Sequence, residues 1–353
     1  MSSKSSEYLR RHWKLLLNIV TVGALVILVF AIHKQLITTF ERLHTVDFWA
    51  LILLVPIEWV NYYGQAKLYQ SLFKIIGNTV GYKELFKISL ELNFVNSVFP
   101  SVGASGIGYF GVRLRRDGIS GGKASLVQIM KLMLVLISFE LLLILGLLFL
   151  AVQGHANNFT ILIAGSLTTL LVVLTFIVMF LVGSKHRISA TLVALNRVAK
   201  RLMTIVHLEK HHIDTERIAH WADELHDNYI LIRGQYDKLS GPLLYALLAN
   251  ATEVAAVYVV YLAFGHWVNV GAVILAYAVA NFAGLISVLP GGVGVYEAIM
   301  LGVLTATGIP ASLSFPVIIM YRVFNTIVQL PPGYFYYQQT LRGGQTSEPS
   351  AGE

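Results

Sequence analysis

The chain of 353 residues is 56% hydrophobic and only 13% charged, with a formal net charge of +7. Soluble domains carry about 25% charged residues, so a water-soluble globular fold is excluded and lipid is the expected solvent. There are no cysteines, which excludes disulfides and thiolate metal sites. The excess basic residues cluster beside apolar segments, as membrane topology requires, and we expect no nucleic-acid partner.

Six apolar segments are long enough to cross a bilayer, for which a helix needs about 20 residues. The predicted spans are residues 14–32, 48–73, 124–152, 159–183, 243–264 and 312–338. Their lengths and the absence of strand-like alternation predict an all-α polytopic integral membrane protein. The first span follows a basic N-terminal stretch without a clear cleavage site, so we expect an uncleaved anchor.

Basic residues gather at alternate connections between the predicted spans. They are Arg10, Arg11, Lys14, Lys74, Lys83, Lys87, Arg113, Arg115, Arg116, Lys185, Arg187 and Arg342. The opposite connections "QGHANNFT" and "GHWVNVG" carry no Lys or Arg, and only residues 33–47, with Lys34 and Arg42, weaken the pattern. The positive-inside rule therefore predicts a multi-pass protein of the plasma (inner) membrane with both termini in the cytoplasm.

Residues 1–342 are expected to form a single transmembrane domain that contains one long polar connection, residues 185–242. Helical periodicity with mixed charges predicts a cytoplasmic amphipathic insertion here. Four histidines lie within it, but no additional ligand pattern accompanies them, so we expect a solvated helix face: His207, His211, His212 and His220. No metal or other cofactor is predicted, and the tail, residues 343–353, is expected to be disordered.

Two further apolar segments, residues 82–116 and 270–305, each contain Pro and Gly near the middle, in "SVFPSVGASGIGYF" and "SVLPGGVGVYE". Pro removes an intrahelical donor and Gly relaxes the backbone, so each segment is predicted to form a re-entrant hairpin of two short helices. The predicted breaks comprise Pro100, Gly103, Gly106, Pro290, Gly291, Gly292 and Gly294. Irregular backbone at membrane depth survives only beside protein or a water-filled cavity, so these breaks are expected to line a cavity.

The two broken segments align at an offset of 190 residues, with nine identities among the 34 positions from 97 to 130. Each lies between two predicted spans, which defines repeat 1 as about residues 48–152 and repeat 2 as about residues 243–338. The charge-based orientation makes the repeats inverted. Inverted repeats with discontinuous helices indicate a transporter whose binding site lies near the bilayer midplane, where half-helix N-termini favour an anion.

Ionisable side chains within spans cost about 2.5–3.5 kcal/mol each, so each needs a partner or a wet cavity. The candidate substrate-binding residues are Lys131, Arg322, Glu297, Glu91, Asn93, Asn281 and Arg113. Two interpretations of Lys131 and Arg322 stay open: they neutralise glutamates such as Glu58, Glu91, Glu253 and Glu297 as internal ion pairs, or they face one cavity and bind a phosphate. No catalytic residues are predicted, because no nucleophile set or carboxylate pair is placed for hydrolysis.

The segment "SVLPGGVGVYEAIM", followed by "YRVFN", resembles the signature of the lysylphosphatidylglycerol synthase membrane-domain family, the flippase-like proteins, and "NFVNSVFPSVGASGIGYFGVR" is similar to its earlier motif. The resemblance covers roughly residues 10–340. The positions that match the family pattern are Pro290, Gly291, Gly292, Gly294, Glu297 and Arg322, with Asn93, Pro100 and Arg113 matching more loosely. The first motif lacks the acidic residue that family members usually show soon after the glycine.

The resemblance implies a lipid translocase that moves a phospholipid or a related anionic amphiphile between leaflets, a carrier rather than an enzyme, with membrane lipid as its partner. Members that aminoacylate lipids carry a soluble synthase domain after the membrane part. This sequence ends about a dozen residues after its last predicted span, so we expect no lysyl transfer by it. The alternatives are an integral membrane enzyme of lipid or polyprenyl-phosphate metabolism, and a membrane partner of a separate synthase or glycosyltransferase. The oligomeric state is left open.

Overall fold

The computed structural model describes residues 46–99, 104–152, 158–205, 215–286 and 292–343, together with isolated positions between 23 and 37. Over these ranges the fold is all-α, as predicted. The helices are α1 (Phe48–Ile52), α2 (Leu54–Ile75), α3 (Tyr82–Val98), α4 (Ala104–Arg115), α5 (Gly121–Val152), α6 (Asn158–Val182), α7 (Lys185–Ile205), α8 (Thr215–Arg233), α9 (Ser240–Ala263), α10 (Val270–Ile286), α11 (Val295–Ala306) and α12 (Ala311–Gly343).

Four helices in the described ranges are long and apolar enough to cross a membrane: Gly121–Val152, Ile161–Val182, Tyr236–Ala263 and Ala311–Arg342. They confirm four of the six predicted spans, and the protein is a polytopic membrane protein. The predicted span 48–73 is helical but interrupted at Leu53, and polar side chains such as Glu58 and Asn61 keep α2 below the hydropathy of the other four. The predicted span 14–32 lies outside the described residues.

The basic residues gather at one end of the helix bundle. Gln235 Nε2 donates to the Ile75 carbonyl at 3.4 Å, and Arg116 Nη1 donates to the Thr340 carbonyl at 2.7 Å. These contacts bring together the C-terminal ends of α2, α4, α8 and α12. We call this the basic end, because it carries Lys74, Lys83, Lys87, Arg113, Arg115, Arg116, Lys185, Arg187 and Arg342.

The opposite end of the bundle is fixed by the antiparallel packing of α2 on α9. There the backbone N–H of Asp47 donates to the Ala263 carbonyl at 2.8 Å. Further along the same pair, Gly64 lies against Ala249 in the middle of α9. The connections 264–269 and 307–310 also lie at this opposite end, where together they border one cavity.

Both segments contain two short helices that pack against each other, on either side of the predicted breaks. Helices α3 and α10 have 17 residues each, and α4 and α11 have 12 residues each. At 1.5 Å per residue these helices span roughly 26 Å and 18 Å, less than a hydrocarbon core of about 30 Å. The first hairpin begins and ends at the basic end and the second at the opposite end, so the two enter the bundle from opposite sides.

The break residues that the structure describes divide into two kinds. Gly292 and Gly294 lie in the second break with φ of 65° and 89°, a conformation that glycine adopts without strain. The prediction for Gly106 was wrong, because Gly106 lies inside α4 and a Cβ there would overlap the side chain of Asn96 on α3. Its role is close packing of the hairpin. Pro100, Gly103, Pro290 and Gly291 lie outside the described residues.

The two hairpins end with the same type of helix cap. The N–H of Ile119 donates to the Leu114 carbonyl at 3.1 Å beside Gly118, whose φ is 73°. In the second hairpin Ile309 donates to the Leu304 carbonyl at 3.0 Å beside Gly308, whose φ is 92°. This is the Schellman motif, in which a left-handed glycine ends a helix. Three of the nine sequence identities therefore correspond to one local structure that occurs twice.

We call the helices of predicted repeat 1, α1 to α5, the first unit and those of predicted repeat 2, α9 to α12, the second unit. Helices of the two units pack in exchanged pairs. Helix α3 of the first hairpin packs on α12, and α10 of the second hairpin packs on α5, while α2 and α9 pack on each other between them. Because each half-length helix is covered by the last span of the other unit, neither unit is enclosed without its counterpart.

The insertion between α6 and α9 forms two helices attached to the basic end. Lys185 Nζ at the start of α7 forms ion pairs with Asp223 at 3.5 Å and Asp227 at 2.9 Å on α8. Helix α8 buries one apolar face, including Leu225 and Tyr229, in the same core as α5. The amphipathic pair is therefore docked on the transmembrane helices rather than detached from them.

The close crossing of α12 on α3 gives a test of this packing. A Cβ at Gly333 would lie 2.7 Å from the Leu90 carbonyl oxygen and 2.8 Å from Phe94 Cβ. We expect Gly333→Ala to lower the melting temperature in detergent by several degrees, although Ala favours a helix by about 1 kcal/mol, because overpacking costs about 1–3 kcal/mol. Gly302→Ala on α11, where nothing lies within 4 Å of the new Cβ, is the control and should not lower it. Equal melting temperatures for the two variants would contradict the close crossing.

Candidate functional site

A chain of polar side chains joins the two units inside the bundle. Lys131 Nζ on α5 donates to Gln65 Oε1 at 3.3 Å, and Gln65 Nε2 donates to Asn61 Oδ1 at 2.7 Å on α2. Asn61 Nδ2 then donates to Glu253 Oε1 on α9 at 3.3 Å. Every link donates in the same direction, so the amide groups polarise one another along the chain. A cation of the first unit is thereby connected to a carboxylate of the second.

The chain continues on one face of α12. The hydroxyl of Tyr321 donates to Glu253 Oε2 at 2.7 Å and accepts from Asn325 Nδ2 at 3.2 Å. Gln329 bonds to the Asn325 side chain, and its Nε2 donates to Glu58 Oε2 on α2 at 2.9 Å. The three α12 residues recur every four positions, which puts them on the same side of a helix. The network therefore ends on a second carboxylate, Glu58, which is only 2% exposed.

The predicted site residue Asn93 belongs to this network. Its Nδ2 donates to the Tyr62 hydroxyl at 2.6 Å and to the side-chain oxygen of Gln329. Asn93 lies on α3, so the network also reaches the first hairpin. Four helices from both units, together with α5 through Lys131, contribute to one polar core.

Two carboxylates share this core without a cation beside them. The side chains of Tyr321, Asn325 and Gln329 connect Glu253 with Glu58 by hydrogen bonds. Their hydrogen-bond partners are the neutral groups of Gln329, Tyr321 and Asn61. Within the described residues neither carboxylate forms an ion pair, so the negative charge of the core is balanced only at a distance.

Lys131 is likewise held by neutral groups. Its ammonium lies 3.0 Å from the Tyr69 hydroxyl and 4.6 Å from the centre of that ring, in addition to the bond to Gln65. Among the described side chains, no carboxylate lies within ion-pair distance of it. For Lys131 the internal ion-pair interpretation is therefore not met among the described residues.

Arg322 meets the interpretation of an internal ion pair. Its Nε lies 3.3 Å from Glu297 Oε1, and its guanidinium covers the ring of Tyr296 at 4.7 Å. Glu297 also caps its own helix, because the Gly294 N–H donates to Glu297 Oε2 at 2.6 Å. A carboxylate in the first turn interacts favourably with the partial positive charge of a helix N-terminus. Glu297 thus combines a structural cap with the neutralisation of Arg322.

Glu91 and Arg113 form a separate group in the first hairpin. Arg113 Nε lies 3.4 Å from Glu91 Oε2, and the guanidinium also pairs with Glu84 and Asp117. Glu91 accepts hydrogen bonds from Tyr109, at 2.7 Å, and from Thr340, at 2.9 Å. Arg113 is only 9% exposed, so it is an internal residue of the hairpin rather than a solvated arginine at the membrane surface.

The remaining predictions have local outcomes. Asn281 donates to the carbonyl of Tyr277, one turn earlier on α10, at 3.1 Å. Of the four histidines, His207, His211 and His212 lie outside the described residues, as does the side chain of His220. Elsewhere in the part of the chain that the structure describes, no group of three or more His, Asp or Glu is arranged to hold a metal ion.

Two cavities lie near the ends of the bundle. A groove of about 260 Å³ between α3, α4 and α12 is mostly apolar and carries two arginines, with Val95, Phe99, Val112, Arg113, Arg116 and Leu341 in its lining. At the opposite end, a wider cavity of about 990 Å³ has His266, Trp267, Asn269, Thr307, Ser312 and Leu313 among its lining residues. The first combines apolar walls with two arginines, and the second has a mixed polar and apolar lining.

The comparisons with known proteins place the chain in one family. The model for the lysylphosphatidylglycerol synthase TM region matches residues 15–333. The chain belongs to this family. It is also 34% identical over 80 residues to a UPF0104 membrane protein of Methanothermobacter thermautotrophicus, an alignment that covers 23% of this chain and 24% of the relative.

A second relative, a UPF0104 membrane protein of Pyrococcus horikoshii, is 22% identical over 175 residues, which are 50% of this chain and 52% of the relative. The chain thus spans between a quarter and a half of the length of these curated relatives. The family name relates the chain to a membrane region associated with lipid metabolism, and the predicted resemblance is confirmed.

Most residues of the central network were not among the predicted site residues. Asn61 and Gln65 are four residues apart on α2, and Tyr321, Asn325 and Gln329 repeat the same spacing on α12. Polar residues at this spacing in an apolar helix form a stripe that must face protein or water. This signal was present in the sequence, although it does not identify the partner helix.

The pair formed by Glu297 and Arg322 can be tested by stability measurements. Glu297→Gln leaves Arg322 without its carboxylate and should destabilise the protein by about 1–3 kcal/mol, because a partly buried charge loses its partner. Arg322→Gln should also destabilise it, whereas the double variant should be more stable than the sum of the single effects predicts. Thermal unfolding in detergent measures all three. Additive effects of the two substitutions would contradict a direct pair.

Proposed function

We propose that this protein is a lipid translocase, a carrier that moves a phospholipid or a related anionic amphiphile between leaflets. The observation that carries the proposal is the polar chain from Lys131 through Glu253 to Glu58, which lies where two broken-helix units meet. Polar and charged groups inside a membrane bundle are costly, and they mark substrate pathways more often than they stabilise a fold.

The chemistry of the network favours an anionic substrate. Lys131 is bonded only to neutral side chains in the described structure, so a phosphate gains a full charge interaction by replacing Gln65 or Tyr69. Arg322 supplies a second cation. A phosphate that binds it replaces the carboxylate of Glu297, so the gain in charge interaction is smaller than at Lys131. We propose Lys131 as the principal phosphate ligand and Arg322 as an accessory one.

A lipid is favoured over a soluble anion by the groove between α3, α4 and α12. Its walls are mainly apolar and Arg113 and Arg116 lie in its lining, so acyl chains fit beside the cations. Membership of a family named for a lipid-related membrane region points to the same class of substrate.

We propose that residues 48–152 and 243–338 are inverted repeats that alternate access to the polar core. Support comes from the two matching caps and from the opposite ends at which the hairpins enter. Rocking of such repeats about a fixed site is the usual means of alternating access in secondary transporters.

Reconstitution with fluorescent lipids tests the function. We expect the protein to accelerate leaflet exchange of at least one phosphate-bearing lipid in a panel that varies headgroup charge. Lys131→Gln should reduce the exchange rate roughly tenfold or more, since a hydrogen bond to a charged group contributes about 1.5–3 kcal/mol. Lys131→Arg should retain most of the activity.

The matched control is Lys185→Gln, which removes an exposed cation at the basic end outside the polar core. Its exchange rate should equal that of the wild type. Exchange no faster than in protein-free vesicles across the whole panel would contradict the translocase. Equal losses in Lys131→Gln and Lys185→Gln would contradict the assignment of Lys131.

We further propose that the protein lies in the plasma membrane with the basic end in the cytoplasm, and cysteine labelling tests this. The natural chain has no cysteine, so single cysteines give an unambiguous signal. Trp267→Cys, at an 83% exposed position, should react with an impermeant maleimide on intact cells, whereas Arg342→Cys should react only after permeabilisation. The reverse pattern would contradict the orientation, and protection of both sites until internal membranes are opened would contradict the location.

A further inference from the structure

We propose that Glu58 and Glu253 form a proton-binding site that couples a proton gradient to lipid movement. This inference rests on the proposed function and adds an energy source to it. The exchangeable ligand is a single proton, bound by one of the two carboxylates and separate from the phosphate ligand Lys131.

The pair lies on two helices that pack against each other. Glu58 lies on α2 and Glu253 on α9, the two helices that pack against each other between the hairpins. Hydrogen bonds through Tyr321, Asn325 and Gln329 on α12 connect the two carboxylates, and within the described residues no ion pair neutralises either one. Repulsion between two neighbouring carboxylates in a water-poor interior falls when one of them binds a proton, as in paired carboxylates of other proteins.

A second and independent observation is a buried hydroxyl beside the pair. Tyr296 on α11 is buried, and its hydroxyl has no hydrogen-bond partner among the described residues, although Tyr321 lies nearby. The same hydroxyl lies within electrostatic range of Glu253. An unsatisfied buried hydroxyl costs about as much as a lost hydrogen bond, so the place is suited to a water molecule or another proton carrier.

The side chains that face the pair are phenols and amides, so the proton binds to the carboxylates. They are Tyr62 on α2, Tyr277 on α10, Tyr296 on α11 and Tyr321 on α12, with the amides of Asn61, Asn93, Asn325 and Gln329 around them. The nearest link to a cation on α5 is indirect, through Gln65 and Asn61 to Lys131. Phenols ordinarily ionise near pH 10 and amides do not ionise in this range, so the carboxyl groups are the groups of this core that bind and release a proton most readily.

The amide chain supplies a physical link between the two sites. Lys131 donates to Gln65, Gln65 to Asn61, and Asn61 to Glu253. When a phosphate draws Lys131 away from Gln65, the polarisation of this chain falls and Asn61 stabilises the Glu253 carboxylate less strongly. A proton that arrives from water then binds a carboxylate oxygen of the pair more readily, so lipid and proton bind together.

The test uses vesicles that contain the full chain, an exchanging fluorescent lipid from the panel above and a pH-sensitive dye inside. If one proton accompanies each lipid, the leaflet distribution should shift up to tenfold per pH unit of imposed gradient. Addition of the lipid should also accelerate dissipation of the gradient. Glu58→Gln and Glu253→Gln should each abolish the gradient-driven shift.

Glu140→Gln is the matched control, because Glu140 lies between α5 and α6, where Thr175 donates to it at 3.4 Å, away from the pair. It should keep the full shift. A lipid that exchanges with no response to the pH gradient overturns the inference and leaves the translocase intact. A shift driven by a sodium gradient at equal pH overturns it in favour of a metal cation.

A second measurement separates this inference from the proposed function. A hydrophobic carbodiimide modifies protonated carboxyl groups within membranes, and mass spectrometry locates the modified residue. We expect modification of Glu58 or Glu253 that decreases as pH rises. If no lipid exchanges, the proposed function fails and with it the coupling, yet this pattern would retain the proton site. Modification of Glu140 with none at Glu58 or Glu253 would overturn the proton site as well.

Discussion

The packing of α2 on α9 is the contact on which the rest of the structure depends. It brings Asn61 beside Glu253, and through them it joins the polar groups of both units into one network. In a bilayer these groups have no water to return to, so separation of the two helices would expose several unsatisfied donors and acceptors together. The cost of that exposure, rather than apolar burial alone, holds the two units in register, because lipid tails compensate lost apolar contacts between helices.

The half-length helices extend this dependence to both hairpins. Helix α3 ends at Val98 after roughly 26 Å, less than a hydrocarbon core of about 30 Å, so an end that lies inside the membrane must be covered by protein. The exchanged packing of α3 on α12 and of α10 on α5 supplies the cover from the other unit. A movement that opens one hairpin therefore disturbs the helix that covers the other. These contacts would couple the two units in the proposed alternating access.

Much of this architecture was predictable from the sequence because it depends on local chemistry. Pro and Gly located both breaks, apolar length located four spans, and the basic residues identified one end of the bundle. Gly106 was misassigned because glycine serves both in breaks and in close helix contacts, and the sequence alone does not distinguish them. The pairing of Arg322 with Glu297 was one of two open interpretations. The partners of Lys131, Asn93 and Glu253 were not predictable, because they lie on helices distant in the chain.

The two cations of the site differ in a way that the repeat alone does not explain. Arg322 is paired with Glu297, which also caps α11, so its charge is fixed by the second hairpin. Lys131 is held by Tyr69 and Gln65 and is connected to Glu253 only through amides. An anion at Arg322 must compete with a carboxylate that the helix keeps in place, whereas an anion at Lys131 displaces neutral groups. In the proposed translocase the first unit would therefore gain most by binding the anion, and the second would keep its own charges satisfied.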